Sequence, residues 1–406
     1  MIQTEKVQGC TLEAGPDSFL AVKPAALELI RDVGLAGEVI GSNDDQRATY
    51  ILKRGKLYPL PEGMMMMIPT KIMPVVKSGL LSWGTKIKMG LEYFRRPSQH
   101  EDRSVREFLI DHYGEEAVDY LAEPLLAGVY GGDPGALSVN SVLGRFVELE
   151  RKYGSLTRAV LSNPRPKGGE SLFKTLKPGL TKLIAALAPA ADSQQGLAEA
   201  MERKGSGWRV RIHGEWVDAA AVVVATRAHQ AGKLLHSLDP ALGKLLTSIP
   251  YTSSLTLSLG YKRAEIKHAM DGFGFLVPKR ERSHVKACTW VHKKFNFRVP
   301  EDRVVMRCFM SGDALDESDQ KLVEIARGEL RDIMGVQASP DFHVIHRWPG
   351  SMAQYTVGHQ KRIEEVQSRM RSLPNLYLAG NYFDGIGIPD CIRLGRVAAE
   401  TIAGIR

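Results

Sequence analysis

The residues most able to do chemistry lie in the last stretch of the chain, LYLAGNYFDGIGIPDCIRLGRVAAETIAGI (376–405). A short apolar run delivers the backbone to Gly380 and Asn381. A loop then carries Gly385, Ile386, Gly387 and Ile388, and Asp390 stands where it can cap a helix whose first N–H groups have no partner within the helix. Glycines let a flat ligand come close to the backbone, and a helix N-terminus presents partial positive charge. The pattern suits a planar ligand that gains negative charge along one edge during a reaction. Other groupings do not assemble. No G-x-S-x-G nucleophile elbow occurs. His343 and His346 alternate to opposite faces of a strand, His284 and His292 lack a third ligand, and Cys10, Cys288, Cys308 and Cys391 show no C-x-x-C spacing. No catalytic side chain and no metal ligand is therefore assigned.

These residues need a scaffold, and hydrophobic periodicity supplies its outline. Pro24, Leu27, Ile30, Val33 and Gly34 predict a helix over 24–33. Residues 47–60 alternate as a strand pair turning at Gly55. A Met-rich, basic, amphipathic stretch runs from Met64 to Arg96. Residues 104–161 read as helical, opened by a capping box from Ser104 to Glu107 and interrupted between Pro124 and Pro134. A helix over 180–187 is followed by a second near 197–203. Trp208, Val210 and Ile212 alternate, and the apolar run 219–225 predicts a strand buried on both faces. Period-two segments at 255–261, 285–291 and 304–310 imply an antiparallel sheet, overlaid by helices near 317–334 and 359–371. The chain ends on a strand over 376–379 and a helix from about 390 to 404.

The full pattern G-N-x-x-x-G-x-G-x-x-x-C-x-x-x-G-x-x-A-A resembles the C-terminal flavin-contact signature of the amine oxidase and protoporphyrinogen oxidase superfamily. Three further segments are similar to the porphyrinogen oxidases in particular: EAGPDSFLAVKPAALELIRDVGL (13–35), RGKLYPLPEG (54–63), and DGFGFLVPKRE followed by ACTWVHKKFNFRVP within 271–300. The resemblance implies FAD as cofactor, with Gly15, Pro16 and Asp17 beside the flavin ring and Gly380, Asn381, Gly385, Ile386, Gly387 and Ile388 also in contact with the cofactor. It implies a porphyrinogen substrate, coproporphyrinogen III or protoporphyrinogen IX, oxidised by repeated hydride transfer to the flavin with O2 as acceptor and H2O2 as product. Phe273 and Gly272 would meet the tetrapyrrole, and Arg47 would face its propionates. Two alternatives stay open: another flavin amine oxidase or carotenoid desaturase, and a non-catalytic tetrapyrrole-binding fragment.

The implied fold is an α/β FAD/NAD(P)-binding, Rossmann-like domain with an α+β antiparallel-sheet substrate domain and a helical subdomain. The expected division is 1–40, 171–235 and 372–406 for FAD, 41–74 and 236–371 for substrate, and 75–170 for the helices. A dinucleotide site of this kind needs G-x-G-x-x-G between a strand and a helix. The three G-x-G pairs, Gly205/Gly207, Gly272/Gly274 and Gly385/Gly387, have Val210, Val277 and Asp390 where the third glycine belongs. The expectation is an N-terminally truncated domain, with a further strand near 189–204 shortened. Composition is that of an ordinary globular protein, 44% hydrophobic and 25% charged. A net charge of +8, densest over 71–106, favours anionic substrates or a lipid surface over nucleic acid. The resemblance implies that this region lies against a membrane, where Lys71, Lys77, Lys86 and Lys88 would meet lipid phosphates, and the expected setting is the cytoplasm with peripheral contact at the inner face of the membrane. A homodimer is also left open.

Overall fold

The computed structural model describes residues 2–65, 67–163, 171–281 and 284–404, so Met66 of the Met-rich stretch lies outside the described residues. Its centre is a seven-stranded sheet in the order Phe342–Ala353, Tyr251–Lys262, Arg303–Met310, Val285–Trp290, Gly274–Leu276, Thr49–Lys53, Lys56–Pro59. All neighbours are antiparallel except Gly274–Leu276 and Thr49–Lys53. The alternation read at 255–261 and 304–310 decides which face is which. Leu255, Leu257, Leu259 and Tyr261, with Met306, Cys308 and Met310, pack on Leu322, Ala326 and Leu330 of the helix Asp319–Met334. Burying each such leucine is worth about 1.5–3 kcal/mol, so this face sets the register. The other face is polar yet equally covered: Thr256, Ser258 and Arg307 are all buried. It receives the segment that follows the strand Cys10–Glu13.

The helical region forms a second core around Phe108, Leu109, Tyr113, Leu121, Leu126 and Phe146. Its capping box is present, with Ser104 Oγ accepting from Glu107 N and the Glu107 carboxylate accepting from Ser104 N. The expected interruption is shorter than the sequence suggests. Pro124 lies inside a helical run continuous from Glu115 to Tyr130, just after the π turn Val118–Ala122 that locally widens the hydrogen-bond ladder; the break comes at 131–138.

Three expectations are corrected. Residues 198–204 are a strand, Ala198–Lys204, hairpinned onto Gly207–Ile212. Ala, Glu, Met and Lys favour helix intrinsically, but Met201 facing Val210 and the turn at Gly205 override that preference. The strand Val222–Val224 pairs in parallel only with Leu376–Leu378, and Val223 is 38% exposed, so it is not buried on both faces. The last helix begins at Ile388, and Asp390 is its third residue instead of its cap. Among the described residues no helix is long and apolar enough to cross a membrane.

Candidate functional site

The candidate cofactor-side residues fall on two chain segments. The first runs from Glu13 to Asp17 across the polar face of the sheet, and nearly every acceptor on it is engaged. Glu13 takes bonds from Thr4 Oγ1 (2.8 Å), Leu180 N (2.9 Å) and Arg298 Nη1 (2.9 Å). The Ala14 carbonyl accepts from Trp348 Nε1 at 2.9 Å and Thr256 Oγ1 at 3.0 Å. The Gly15 carbonyl accepts from Arg307 Nη2. Lys294 Nζ reaches both Asp17 oxygens, at 2.9 and 3.0 Å. Burial alone would raise the Asp17 carboxyl, but the Lys294 ammonium and Arg307 guanidinium outweigh it and hold the group far below the usual carboxylate range.

The second segment is the loop from Gly380 to Asp390. The Asn381 carbonyl accepts from Tyr355 Oη (2.9 Å), its side-chain oxygen from Tyr251 Oη (3.4 Å), and its side-chain nitrogen donates to the Ser351 carbonyl (3.1 Å). Asn381 therefore ties the loop to the sheet. Gly385 has φ +95°, and a Cβ there would lie 2.2 Å from Asp390 Cγ. Gly387 N donates to Asp390 Oδ2 at 3.2 Å. Asp390 is itself neutralised by Lys23 at 2.7 Å, which leaves the helix N-terminus free to favour an incoming negative charge. Lys23 follows Asp17 by six positions, so this ion pair ties the loop to the chain just beyond the first segment.

The three substrate-side candidates also come together. Phe273 N donates to the Ala48 carbonyl at 2.8 Å, and a Cβ on Gly272 would meet that carbonyl oxygen at 2.2 Å. Arg47 is thus next to Gly272 and Phe273. It is exposed, and among the described residues no ion pair or hydrogen bond holds it. Phe273 is buried in this arrangement. The two sides are linked by one short helix: Trp290 N donates to the Phe273 carbonyl, Val291–Lys294 follows, and Lys294 ends on Asp17.

Sequence reasoning missed Lys294, Arg298, Arg307, Tyr251, Tyr355 and Trp348. The signal for Arg307 was available: it is the one charged residue inside the apolar run VVMRCFM (304–310), and a lone charge at an alternate strand position points away from the core. Among the described residues no set of three His, Cys, Asp or Glu side chains is placed to hold a metal ion.

The sequence profile of the flavin-containing amine oxidoreductase family matches residues 2–403. The chain belongs to this family. It is 33% identical to a coproporphyrinogen III oxidase of Bacillus subtilis (strain 168), over 98% of this chain and 88% of that protein. It is 32% identical to the coproporphyrinogen III oxidase of Staphylococcus aureus (strain NCTC 8325 / PS 47), over 99% and 90%. A solved structure of a protein from Exiguobacterium sp. 255-15, described as a protoporphyrinogen oxidase, superposes with a TM-score of 0.87 at 29% identity, covering 100% of this chain and 90% of that one. The chain is a flavin-dependent oxidoreductase with FAD as cofactor.

The residues fit that cofactor unequally. At the ring end, the Gly385–Ile388 turn at a helix N-terminus and the fixed Gly15–Asp17 segment are suited to a planar group whose edge becomes negative. At the diphosphate end, the sequence holds no G-x-G-x-x-G. Gly205/Gly207 is a hairpin turn and Gly272/Gly274 opens an interior strand of the seven-stranded sheet, paired on both sides. Only Gly385/Gly387 leads from a strand into a helix, and Asp390 fills the third position. Among the described residues, no strand and helix of that dinucleotide-binding pattern cradles a pyrophosphate.

Proposed function

We propose that this chain is a coproporphyrinogen III oxidase, converting the porphyrinogen to coproporphyrin III with three O2 consumed and three H2O2 released. The observation that carries this reading is the near-full-length similarity to two coproporphyrinogen III oxidases, which extends through both cofactor-side segments and the Arg47/Phe273 edge. FAD, when bound, supplies the two-electron sink and passes the electrons to oxygen. The protein's own part is orientation, exclusion of water and placement of charge. Gly15, Pro16 and Asp17 would hold the flavin ring, themselves fixed by Arg307, Lys294 and Trp348. Gly380, Asn381 and the Gly385–Ile388 turn, anchored by Tyr251 and Tyr355, would place the helix N-terminus where it favours negative charge on that ring. Arg47, uncommitted and exposed, meets a propionate; Gly272 and Phe273 form the apolar wall beside it. No side chain acts as acid or base, because the pyrrole N–H protons leave to water.

Following porphyrin fluorescence with FAD present tests this reading. Coproporphyrinogen III is expected to be oxidised well above autoxidation and faster than protoporphyrinogen IX. A preference for protoporphyrinogen IX would move the substrate to that compound, and autoxidation rates with both would remove the reading.

The reading extends to location: a cytoplasmic protein that touches an anionic membrane. Trp83, Ile87, Leu91 and Phe94 recur every three or four residues along the helix Trp83–Leu91 and the turn after it, exposed to 65%, 61%, 63% and 74%. Lys77 lies exposed nearby, whereas Lys71 pairs with Glu62, and Lys86 and Lys88 donate to the Val76 and Ile110 carbonyls. Such a stripe matches an interfacial helix. Co-sedimentation with anionic, but not zwitterionic, phospholipid vesicles is expected, and Ile87→Glu should abolish it. Equal recovery in both supernatants would contradict membrane contact.

A further inference from the structure

We propose that a small cavity beneath the Glu13–Asp17 segment binds one halide-sized monovalent anion. The inference does not depend on the porphyrinogen reading. Glu13, Asp17, Ser258, Lys294, Arg298 and Arg307 contribute to its walls, and it encloses about 20 Å³ open to the centre of a water-sized sphere. That is room for one water molecule or one ion of similar radius, and too little for a carboxylate or phosphate ligand.

Charge decides between water and ion. Three cations and two carboxylates line the space. Arg298 is paired with Glu13 at 2.9 Å, and Lys294 with Asp17 at 2.9 Å. Arg307 is left over. Its nearest carboxylate is Asp17 at 3.7 Å, already committed to Lys294, and its side chain is 3% exposed. One nitrogen donates to the Gly15 carbonyl and the Phe309 ring covers the guanidinium at 4.7 Å. Its Nε is buried with no hydrogen-bond partner. A guanidinium does not shed its proton in a protein, and a buried charge without a counter-ion is strongly destabilising. Water would satisfy Nε and leave the charge; a halide does both. Glu13 and Asp17 do not repel it outright, because each is neutralised by its own cation. Ser258 stands directly opposite Arg307 in the strand register, so a larger side chain there would fill the space without touching either ion pair.

The test is thermal melting of the full chain in chloride, bromide and gluconate at matched ionic strength. Chloride and bromide should each raise the midpoint saturably over gluconate, by about 2 °C or more. Crystals soaked in bromide should show an anomalous peak in contact with Arg307 Nε. Ser258→Val, checked for folding by circular dichroism, should lose the halide dependence. Equal midpoints in the three salts would overturn the proposal, as would retention of the halide effect in folded Ser258→Val or ordered water without an anomalous peak. A bromide peak with no saturable effect in solution would mean an adventitious ion only, and would overturn it equally.

Discussion

Glu13–Asp17 and Gly380–Asp390, the two segments that the proposed function assigns to the cofactor, come from opposite ends of the chain, with Lys23 and Asp390 linked across 367 positions, and they are fixed by different physics. The first segment is held by buried charge: Glu13 by Arg298, whose side chain is 2% exposed, and Asp17 by Lys294. The second is held mainly by neutral hydrogen bonds from two tyrosines and by glycine backbone geometry. A buried ion pair contributes little net stability compared with an apolar substitute, yet losing one member strands the other. A neutral bond can be lost for far less. One segment is therefore brittle and the other adjustable, a division that under the proposed function would let one side fix the ring and the other answer its change in charge.

The largest expected effect comes from the brittle side. Arg298→Met leaves Glu13 buried without its cation and should cost about 3–5 kcal/mol in urea denaturation; a loss below about 1 kcal/mol would erase the contrast. On the loop side, Gly385→Ala places a Cβ 2.2 Å from Asp390 Cγ at φ +95°. It should cost about 1–3 kcal/mol and lower the flavin bound per protein, read by absorbance after desalting, while the fold persists. Undiminished flavin content would show that this turn does not position the ring. Tyr355→Phe should have the smallest effect. It removes the bond to the Asn381 carbonyl but can keep the stack on His359 at 4.3 Å, so about 0.5–1.5 kcal/mol is expected. A loss as large as that of Arg298→Met would mean the two segments are equally rigid.

What was legible in the sequence follows the range of the interactions. The Ser104 capping box spans three residues and was readable directly, as were the strand alternation at 255–261 and the glycine pattern of the last loop. The segment 198–204 was misjudged because its own residues favour helix, and only its partner strand, beyond the Gly205 turn, forbids it. Asp390 is at the helix N-terminus as expected but as the third helical residue, since the cap position falls three residues earlier, at Gly387. The ion pairs around Glu13 were invisible: Arg298 is 285 positions away, and no local pattern announces that two charges will be buried together. Arg47 and Phe273 were singled out separately, and only the parallel pairing of Gly274–Leu276 with Thr49–Lys53 makes them neighbours.

The most direct test is to mix the FAD-loaded chain with coproporphyrinogen III in the absence of oxygen and record the flavin absorbance. Bleaching faster than with protoporphyrinogen IX, reversed on admitting oxygen and accompanied by coproporphyrin III fluorescence, is the predicted result. Flavin that stays bound and oxidised in the presence of coproporphyrinogen III would contradict the account.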